Sequence, residues 1–339
     1  MRAVDFDYVL PQERIAQRPM EPRDHSRLMV VEMERGLISH RRFFDLPEFL
    51  RQEDCLVLND TRVLPARLFG QKHPTGGRVE FLLLRPLSHD QWQVLVKPGR
   101  RVRVGTRVTF SSELEADVVA MGADGERTVR FAYAGSFDAI LDRLGRTPLP
   151  PYITEELDDD ERYQTVYSRD AGSIAAPTAG LHFTEDLLRR VRSLGTSVVP
   201  LTLHVGIGTF RPVKVNDVAD HKMHAEYFEL SEASAAVIND CRARAGRILA
   251  VGTTVVRTLE TLGDEGFVRS GSGWTDIFIY PGYEFRAVSG MVTNFHLPKS
   301  TLLMLVSAMA GRDLVMRAYE EALAGEYRFF SFGDAMLFI

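Results

Sequence analysis

The chain has 339 residues, 45% of them hydrophobic and 26% charged, with a formal net charge of −5. This composition is typical of a soluble globular protein with two domains, and the acidic balance argues against nucleic-acid binding driven by overall charge. No apolar run approaches the roughly 18–20 residues of a membrane span. The first residues show no secretory signal, so we expect neither a membrane segment nor secretion. The two cysteines, Cys55 and Cys241, have no disulfide or metal-site spacing, which favours a cytoplasmic location.

Residues 1–69 predict the beginning of an α/β domain. Two apolar runs of strand length, at residues 27–32 and 55–58, flank a predicted short helix at residues 43–50. Polar residues 59–62 follow the second strand, and ligands gather at such strand ends in α/β folds. An ordinary capped turn would explain these four residues equally well.

Residues 70–147 predict a small antiparallel β-barrel domain inserted into the first. Short segments rich in valine, leucine and phenylalanine are separated by hairpin-type turns. The predicted strands are residues 78–84, 92–96, 101–110, 114–120 and 127–133. Residues 60–110 carry ten lysines and arginines against three acidic residues in an otherwise acidic chain. This asymmetry indicates an anionic partner, although a solvated strand face would give the same composition.

From residue 148 the α/β pattern resumes. Thr184 and Ser231 are predicted N-caps of helices at residues 185–193 and 232–244, and Thr253 opens a helix that ends at Leu262. The other predicted elements are strands at 197–205, 248–252 and 274–280 and helices at 302–310 and 312–324. The predicted fold class is therefore an α/β (α+β) main domain, formed by residues 1–69 and 148–339, with the β-barrel inserted at 70–147.

The segment 172–184 is built of small, uncharged residues with one proline and one histidine. Because it leads into the helix capped by Thr184, a ligand there would meet free backbone N–H groups and the positive end of a helix dipole. A tightly packed helix–loop junction is the alternative explanation. A second junction, at Thr253 and Thr254 with Arg257 one turn further on, is suited to a carboxylate or a phosphate.

Five of the nine histidines lie after residue 180, in small-residue or polar motifs. Imidazole suits general acid–base catalysis because its pKa lies near neutral pH. Two alternatives stay open: His221 and His224 could share a helix face and bind a metal, or single histidines could be hydrogen-bonded core residues. The serine-hydrolase elbow, the phosphate-binding loop of nucleotide hydrolases and the dinucleotide-binding glycine motif are absent from the sequence.

Ordered motifs extend over nearly the whole chain. They comprise residues 58–63, 65–67, 150–153, 162–166, 172–184, 203–210, 221–226, 252–257, 293–301 and 327–336. Together they resemble the S-adenosylmethionine:tRNA ribosyltransferase-isomerase family of queuosine biosynthesis. The departures are small, with Phe332 where that family usually has tyrosine and Ser168 where it usually has alanine.

The resemblance implies a fold, an α/β domain carrying an inserted β-barrel, and an activity. S-adenosylmethionine donates its ribosyl moiety, which is transferred and isomerised onto 7-aminomethyl-7-deazaguanine at the tRNA wobble position. The products are epoxyqueuosine-tRNA, adenine and methionine. S-adenosylmethionine is thus consumed, and no cofactor or metal is expected. The expected partners are S-adenosylmethionine and tRNA carrying the deazaguanine, and we expect a cytoplasmic monomer without membrane contact. A non-catalytic RNA-binding module and a metallohydrolase are the alternatives.

This chemistry needs a base for the C5′ proton beside the sulfonium, an acid for the departing adenine and a base that keeps the substrate amine neutral. The catalytic candidates that the resemblance suggests are His182, His204, His296, His221 and His224. We expect His182 to handle a proton on the floor of the S-adenosylmethionine pocket, formed by residues 172–184.

The remaining site residues are predicted to bind the substrates. Thr253 and Thr254 are expected to hold the methionine carboxylate, and Asp60 or Glu226 its ammonium or the sulfonium. The full substrate-binding set is Asp60, Arg62, Arg162, Tyr163, Gln164, Ala176, Pro177, Thr178, Gly180, Gly206, Gly208, Thr209, Glu226, Thr253, Thr254, Arg257, Asn294, Ser300 and Thr301. In the barrel, Lys97, Arg100, Arg101 and Arg103 are expected to contact tRNA phosphates.

Overall fold

The structure is a computed structural model that describes residues 1–206, 208, 215–264 and 266–339, without the side chain of Asp124. These residues form two compact units. The sheet unit consists of Met1–Arg62, Pro151–Ala171 and Ala176–Ile339, and the barrel unit consists of Val63–Pro150 and Gly172–Ala175. No helix in the described ranges is long and apolar enough to span a membrane. The catalytic and tRNA-contacting roles assigned to the two predicted domains stay predictions.

Strands and helices are numbered here in chain order. The strands are β1 (Arg27–Glu32), β2 (Leu37–Arg42), β3 (Cys55–Asn59), β4 (Thr61–Val63), β5 (Arg67–Lys72), β6 (Arg78–Pro86), β7 (Gln91–Lys97), β8 (Arg107–Thr109), β9 (Leu114–Met121), β10 (Glu126–Tyr133), β11 (Asp170–Ser173), β12 (Ser197–Leu203), β13 (Glu226–Leu230), β14 (Ile248–Val251), β15 (Gly263–Asp264), β16 (Phe267–Val268), β17 (Gly271–Thr275), β18 (Gly290–Asn294) and β19 (Ala335–Phe338). The helices are α1 (Phe137–Leu144), α2 (Glu185–Ser193), α3 (Glu232–Ala243), α4 (Thr253–Leu262), α5 (Thr301–Ala310) and α6 (Arg312–Ala324).

The sheet unit is organised around a large mixed sheet with the strand order β17-β13-β12-β3-β14-β18-β19-β1-β2. The four neighbouring strands β12, β3, β14 and β18 run parallel to one another. Every residue of β3, β14 and β18 is buried, as expected for parallel strands that are covered on both faces. Leu56 of β3 and Val251 of β14 share one apolar cluster with Leu187 and Val191 of α2.

The barrel unit is a closed antiparallel barrel with the strand order β10-β7-β6-β5-β8-β9. Its strands alternate as a barrel requires: on β6, Val79, Phe81 and Leu83 are buried while their neighbours are at least partly exposed. Helix α1 begins after Ser136, whose hydroxyl oxygen accepts the Ala139 N–H at 3.4 Å. The predicted fold class, a mixed α/β protein with a closed antiparallel barrel, is confirmed.

Several predicted elements have different bounds in the structure. The helix predicted at 43–50 is the 3₁₀ helix Phe43–Phe49, which contains Pro47 and therefore lacks one N–H donor. The strand predicted at 101–110 is limited to β8, because the chain first forms the 3₁₀ turn Gly99–Arg101. The strand predicted at 274–280 ends at Thr275 and begins earlier, at Gly271.

Candidate active site

The parallel strands of the sheet unit bring polar residues together at one edge. Because β12, β3, β14 and β18 are parallel, their carboxyl ends lie at the same edge of the sheet, where ligands bind in α/β folds. Asn59 ends β3 and Asn294 ends β18, while His204 follows β12 and Gly252 follows β14. This edge therefore gathers residues from four separate parts of the chain, among them the predicted site residues His204 and Asn294.

Asn294 determines which nitrogen of His182 carries the proton. The Phe330 carbonyl can only accept a hydrogen bond, so the Asn294 amide atom beside it is Nδ2, and the Thr178 hydroxyl donates to Oδ1 at 3.0 Å. The amide nitrogen Nδ2 donates to the Phe330 carbonyl at 3.2 Å and to Nε2 of His182 at 3.1 Å. Nε2 is therefore an acceptor, so Nδ1 carries the proton and donates it to Oγ of Ser26 at 2.7 Å. Both ring nitrogens of His182 are engaged by the protein.

The environment of His182 keeps its ring neutral. Its side chain is buried and stacks on the Phe43 ring, with 5.0 Å between centroids. Burial, together with the nearby Arg328 and Arg23 guanidinium groups, lowers the pKa of His182 to about 3. The side chain consequently acts as an uncharged hydrogen-bonding group at neutral pH. Its predicted role in proton transfer stays a prediction.

The small residues around His182 allow other groups to pack closely. Gly180 lies in the 3₁₀ turn Thr178–His182. A β-carbon at Gly180 would overlap the Tyr167 hydroxyl and lie 2.8 Å from Cγ2 of Thr165. Thr184 caps α2 as predicted, because its hydroxyl oxygen accepts the Leu187 N–H at 3.1 Å. Close packing thus accounts for Gly180, which agrees with the alternative explanation of a tightly packed junction.

His296 is a second buried, neutral imidazole. Its Nε2 lies 2.9 Å from the Thr293 hydroxyl oxygen, and burial lowers the pKa of His296 to about 3. The backbone is held from both sides, since the His296 N–H donates to the Tyr319 hydroxyl at 2.8 Å and the Tyr8 hydroxyl donates to the His296 carbonyl. This residue fixes the turn after β18.

His204 is only partly buried, which distinguishes it from the two imidazoles above. Its Nδ1 lies 2.9 Å from the Thr61 hydroxyl oxygen, and its ring stacks on that of Tyr227 at 6.0 Å between centroids. Burial lowers the pKa of His204, against the opposing influence of Asp170 and Glu229. Among the described residues nothing hydrogen-bonds to Nε2 of His204, so this nitrogen is available to a substrate.

Asn59 joins the end of β3 to β12 and α4. Its Nδ2 donates to the Leu203 carbonyl and its Oδ1 accepts the Leu203 N–H, each at 3.0 Å. Nδ2 also donates to the Thr254 hydroxyl oxygen at 3.2 Å. Thr253 is the first residue of α4, and Gly252 before it has a φ of +92°, a conformation that favours glycine. The N-cap residue, Gly252, has no side chain that could cap this helix. Its first N–H groups suit an anionic ligand.

Asp60 is a buried carboxylate at the same edge. It accepts the Thr202 hydroxyl at 2.7 Å and forms a 3.0 Å ion pair with Arg169, whose side chain is otherwise largely exposed. Burial raises the pKa of Asp60, while the Thr202 hydrogen bond and the Arg169 charge oppose that rise. The paired carboxylate suits a cationic group of a substrate.

Glu226 and Arg257 form a buried ion pair between β13 and α4. The Glu226 carboxylate also accepts the Gly206 N–H at 2.9 Å. The Arg257 guanidinium donates in addition to the carbonyls of Ile277 and Thr275, each at 3.2 Å. The charge of Glu226 is therefore already balanced by the protein, in contrast to that of Asp60, whose partner is exposed.

Arg62 and Arg162 form contacts at the surface of the sheet unit. Arg62 pairs with Glu161 and donates to the Ser168 hydroxyl oxygen at 3.1 Å. Arg162 pairs with Glu21 at 2.8 Å. These contacts hold the segment before β11 in place.

The other predicted binding residues have varied environments. Tyr163, Gln164, Ala176 and Pro177 are all buried. Ser300 caps α5 by accepting the Leu303 N–H at 3.2 Å, and Thr301 is the first residue of that helix. Thr209 lies outside the described residues.

His221 and His224 do not share a helix face, which was the basis of the metal-binding alternative. Residues 221–225 follow the 3₁₀ turn Val218–Asp220 and are not helical. His221 packs against the Phe278 ring at 5.1 Å, and its pKa is lowered by burial and by the neighbouring His224. His224 is exposed, and Gly208 lies close against it. Across the described ranges, no group of three or more potential metal ligands is found.

The predicted tRNA-contacting residues are all exposed and all lie in the barrel unit. Lys97 ends β7, Arg100 and Arg101 belong to the 3₁₀ turn Gly99–Arg101, and Arg103 follows two residues later. Their clustering in space agrees with their clustering in sequence, and their contact with tRNA stays a prediction.

Fold and site together define a class of protein. It is an α/β protein with a closed antiparallel barrel and with buried imidazoles, paired carboxylates and an uncapped helix N-terminus at the edge of a parallel sheet. Such an edge is where α/β enzymes bind small molecules.

Comparisons with known proteins narrow this class to one family. The family described as queuosine biosynthesis protein matches residues 3–338, so the chain belongs to that family. A relative from Symbiobacterium thermophilum, named S-adenosylmethionine:tRNA ribosyltransferase-isomerase, is 60% identical over 100% of both chains. A relative of the same name from Acetivibrio thermocellus is 57% identical over 99% of both chains.

A solved structure is also similar. The crystal structure of S-adenosylmethionine tRNA ribosyltransferase from Thermotoga maritima matches with a TM-score of 0.58 and 39% identity, covering 99% of this chain and 100% of that one. The family resemblance read from the sequence motifs is therefore confirmed.

Four residues of the site were not predicted from the sequence. Asn59 and Thr61 lie within the polar group 59–62, and Thr293 lies within the motif 293–301, so their motifs pointed to them. Ser26 gave no local signal, because a single serine before a strand is unremarkable until the fold brings it to His182.

Proposed function

We propose that this chain transfers and isomerises the ribosyl moiety of S-adenosylmethionine onto 7-aminomethyl-7-deazaguanine at the tRNA wobble position. The products are epoxyqueuosine-tRNA, adenine and methionine. The observation that carries this proposal is the 60% identity, over the full length of both chains, to a relative named for this activity. The two substrates supply every reacting group, so S-adenosylmethionine is consumed and no cofactor is required. We further propose that the enzyme is a cytoplasmic monomer that acts without membrane contact.

His204 is proposed as the base that accepts a substrate proton. A base must be neutral before the reaction and must have a ring nitrogen that the substrate can reach. Burial lowers the pKa of His204, so the ring is neutral at pH 7. With Nδ1 hydrogen-bonded to Thr61, Nε2 is the nitrogen that can accept a proton. The C5′ proton beside the sulfonium, or a proton of the substrate amine, is the expected proton. The partly buried His221 and the exposed His224 are proposed to assist from the segment before β13.

His182 and His296 are proposed to support the reaction as neutral hydrogen-bonding residues. Their pKa values of about 3 make them poor proton acceptors at neutral pH. His182 instead holds Asn294, whose amide is placed at the carboxyl edge of the sheet. Proton transfer by His182 would require a substrate to displace its hydrogen bond to Asn294 or to Ser26.

S-adenosylmethionine is proposed to bind at the carboxyl edge of the sheet. The uncapped start of α4, at Thr253 and Thr254, suits the methionine carboxylate. Asp60 suits the ammonium or sulfonium better than Glu226, because Arg257 already neutralises Glu226. The other residues of the predicted binding set are proposed to line the same pocket.

The experiment that tests this function measures free adenine. The protein is incubated with S-adenosylmethionine and tRNA that bears the deazaguanine precursor, and adenine is quantified by chromatography. Release is expected only when both substrates are present. tRNA with guanine at the wobble position is the matched control. Absence of release with both substrates present contradicts the proposed function and favours a non-catalytic RNA-binding module.

The role of His204 gives a pH prediction. Since the pKa of His204 is lowered, kcat/KM is expected to be constant near pH 7 and to fall in acid, below the ordinary imidazole pKa of about 6.5. His204→Gln is expected to reduce kcat by about 10²–10⁴-fold and to remove this acid limb. His25→Gln, at an exposed imidazole of the sheet unit, is the control. Turnover of His204→Gln at the wild-type rate would contradict the assignment.

A further inference from the structure

The barrel unit contains a strongly basic cavity. Its volume is about 450 Å³, and five cationic side chains line it: Lys72, Arg78, Arg100, Arg101 and Arg103. No carboxylate is among the lining residues. In the described part of the chain, none of the five cations forms an ion pair with an acidic side chain. An uncompensated group of this kind attracts anions.

A buried arginine anchors the loop that carries three of these cations. The Arg127 side chain is only 6% exposed. It donates from Nε to the Val102 carbonyl at 3.1 Å and from one terminal nitrogen to the Gly99 carbonyl at 3.0 Å. The other terminal nitrogen donates to the carbonyls of Gly125 and Glu126, each at 2.9 Å. Arg127 thereby ties the loop to the β9–β10 hairpin.

Two further contacts fix the same loop. Nζ of Lys72 donates to the Arg101 carbonyl at 3.0 Å. The Arg103 N–H donates to the Thr106 hydroxyl oxygen at 3.1 Å, and the Arg103 carbonyl accepts the Thr106 N–H at 2.9 Å. These backbone groups of the loop are thus hydrogen-bonded within the protein. The exposed side chains of Arg100, Arg101 and Arg103 are the donors that remain for a ligand.

Arg127 also contributes charge. Its guanidinium is solvated by backbone carbonyls, and no carboxylate in the described ranges lies within ion-pair distance of it. A buried cation without a counter-charge is costly, and an anion bound in the adjoining cavity would offset that cost. The Arg127 charge therefore lies next to the loop, in addition to the five cations that line the cavity.

The composition of the cavity indicates which anion it recognises. Arginine and lysine bind phosphate oxygens through charge-assisted hydrogen bonds. No aromatic ring lines the cavity, so the base-stacking contacts that single-stranded RNA modules use are missing. The chemistry fits a sugar–phosphate backbone rather than a nucleobase.

We propose that this cavity binds backbone phosphate of the RNA substrate and that Arg127 is a positioning residue that holds the phosphate-binding loop in place. This inference rests on the proposed function, which makes tRNA a substrate. It adds Lys72 and Arg78 as contacts and Arg127 as the residue on which the geometry of the contacts depends.

The test measures tRNA binding by fluorescence anisotropy between 50 and 200 mM salt, as well as steady-state kinetics. The variants are Arg127→Met, Arg127→Lys and the exposed double variant Lys72→Gln/Arg100→Gln. Arg130→Gln, which removes an exposed barrel charge paired with Asp90 outside the cavity, is the control. For each phosphate that a variant no longer neutralises, the slope of log K against log salt is expected to become shallower by about 0.7–0.9.

The expected results separate positioning from folding. Arg127→Met is expected to raise the KM for tRNA several-fold and to lower the salt slope, with kcat at saturating tRNA and the KM for S-adenosylmethionine unchanged. Arg127→Lys is expected to recover part of this affinity, because an ammonium group can still bond some of the carbonyls. If Arg127→Met does not fold, Lys72→Gln/Arg100→Gln decides the question, since both side chains lie at the surface of the cavity.

Three outcomes would overturn the proposal. The first is a wild-type salt slope in the folded Arg127→Met variant or in the double variant. The second is an equal reduction of affinity in Arg130→Gln, which would indicate a diffuse charge effect. The third is saturable binding of inorganic phosphate to the cavity that does not compete with tRNA, which would identify a free-phosphate site. Because tRNA binding is measured without turnover, failure of adenine release would refute the proposed function and leave this test intact.

Discussion

At the scale of single residues, His182 shows how burial changes the chemistry of an imidazole. Its two nitrogens are bonded to Ser26 and Asn294, and the ring is neutral because burial lowers its pKa to about 3. The sequence motif singled out His182, and the structure shows its side chain bonded to Asn294 at the end of β18. The motif could not give the protonation state, because Ser26 and Asn294 are 156 and 112 residues away along the chain.

The buried imidazoles predict an acid-sensitive stability. His182 and His296 have pKa values of about 3 when folded and about 6.5 when unfolded. Between these values the unfolded chain binds more protons, so the free energy of unfolding falls as pH falls from 6.5 towards 3. Each imidazole contributes about 1.4 kcal/mol per pH unit to this decrease. Urea unfolding between pH 7 and pH 5 measures this decrease in the free energy of unfolding.

A variant isolates the contribution of one imidazole. His182→Gln is expected to be less stable than wild type at pH 7 but to lose less stability than wild type between pH 7 and pH 5. Carboxylates titrate in both proteins. For each protein the slope of the free energy of unfolding against pH is measured, and only the difference between the two slopes is assigned to His182. Identical slopes would show that His182 is not held neutral by the fold.

Gly180 predicts a packing effect. A β-carbon there would overlap the Tyr167 hydroxyl, so Gly180→Ala is expected to cost about 1–3 kcal/mol of stability. Within the described residues the Tyr167 hydroxyl has no hydrogen-bond partner, so Tyr167→Phe alone is expected to change stability little. The double variant is expected to recover much of the stability, measured by urea unfolding. Additive costs would contradict this account.

At the scale of elements, the sequence predicted well what local physics determines. Helices α4 and α6 have the predicted bounds, and the predicted N-caps Thr184 and Ser231 accept N–H groups of the first helical turn. Caps and apolar periodicity act within a few residues, so they are visible in the sequence.

Three strands that the sequence did not predict show where a local pattern fails. Strand β2 is an edge strand whose residues are all at least partly exposed, so it lacks the apolar alternation that indicates a strand. Strand β5 closes the barrel with Leu68 and Gly70 facing inward, and only one of these is a large apolar residue. Strand β18 was read as part of a ligand motif, although every residue of it is buried in the sheet.

The ion pair that joins β13 to α4 gives a prediction at this scale. Arg257→Met leaves the Glu226 carboxylate buried without its main counter-charge, which is expected to cost about 3–5 kcal/mol of stability. Arg257→Met combined with Glu226→Gln is expected to cost less than the sum of the single changes. Arg18→Met, at an exposed ion pair of the same unit, is expected to have no measurable effect. Urea unfolding of the wild type, the two single variants, the double variant and Arg18→Met provides the comparison, and additivity of the single costs would contradict the coupling.

At the scale of the whole molecule, the order of strands in the sheet creates the candidate site. Strands β12, β3, β14 and β18 are neighbours although they begin at residues 197, 55, 248 and 290. Sequence motifs identified the polar ends of these strands, but not which strands lie side by side. That arrangement depends on long-range pairing, for which the local pattern carries no information. The fold class followed from the strand and helix patterns, and the family followed from the motifs.

The account requires that S-adenosylmethionine be a ribosyl donor rather than a methyl donor. The most direct measurement uses two preparations of S-adenosylmethionine, one labelled in the ribose and one in the methyl group, with tRNA that bears the deazaguanine precursor. We predict that the ribose label enters tRNA in an amount equal to the adenine and methionine released, and that the methyl label leaves with methionine. Methyl label in the tRNA, or adenine release without ribose label in the tRNA, would contradict the account.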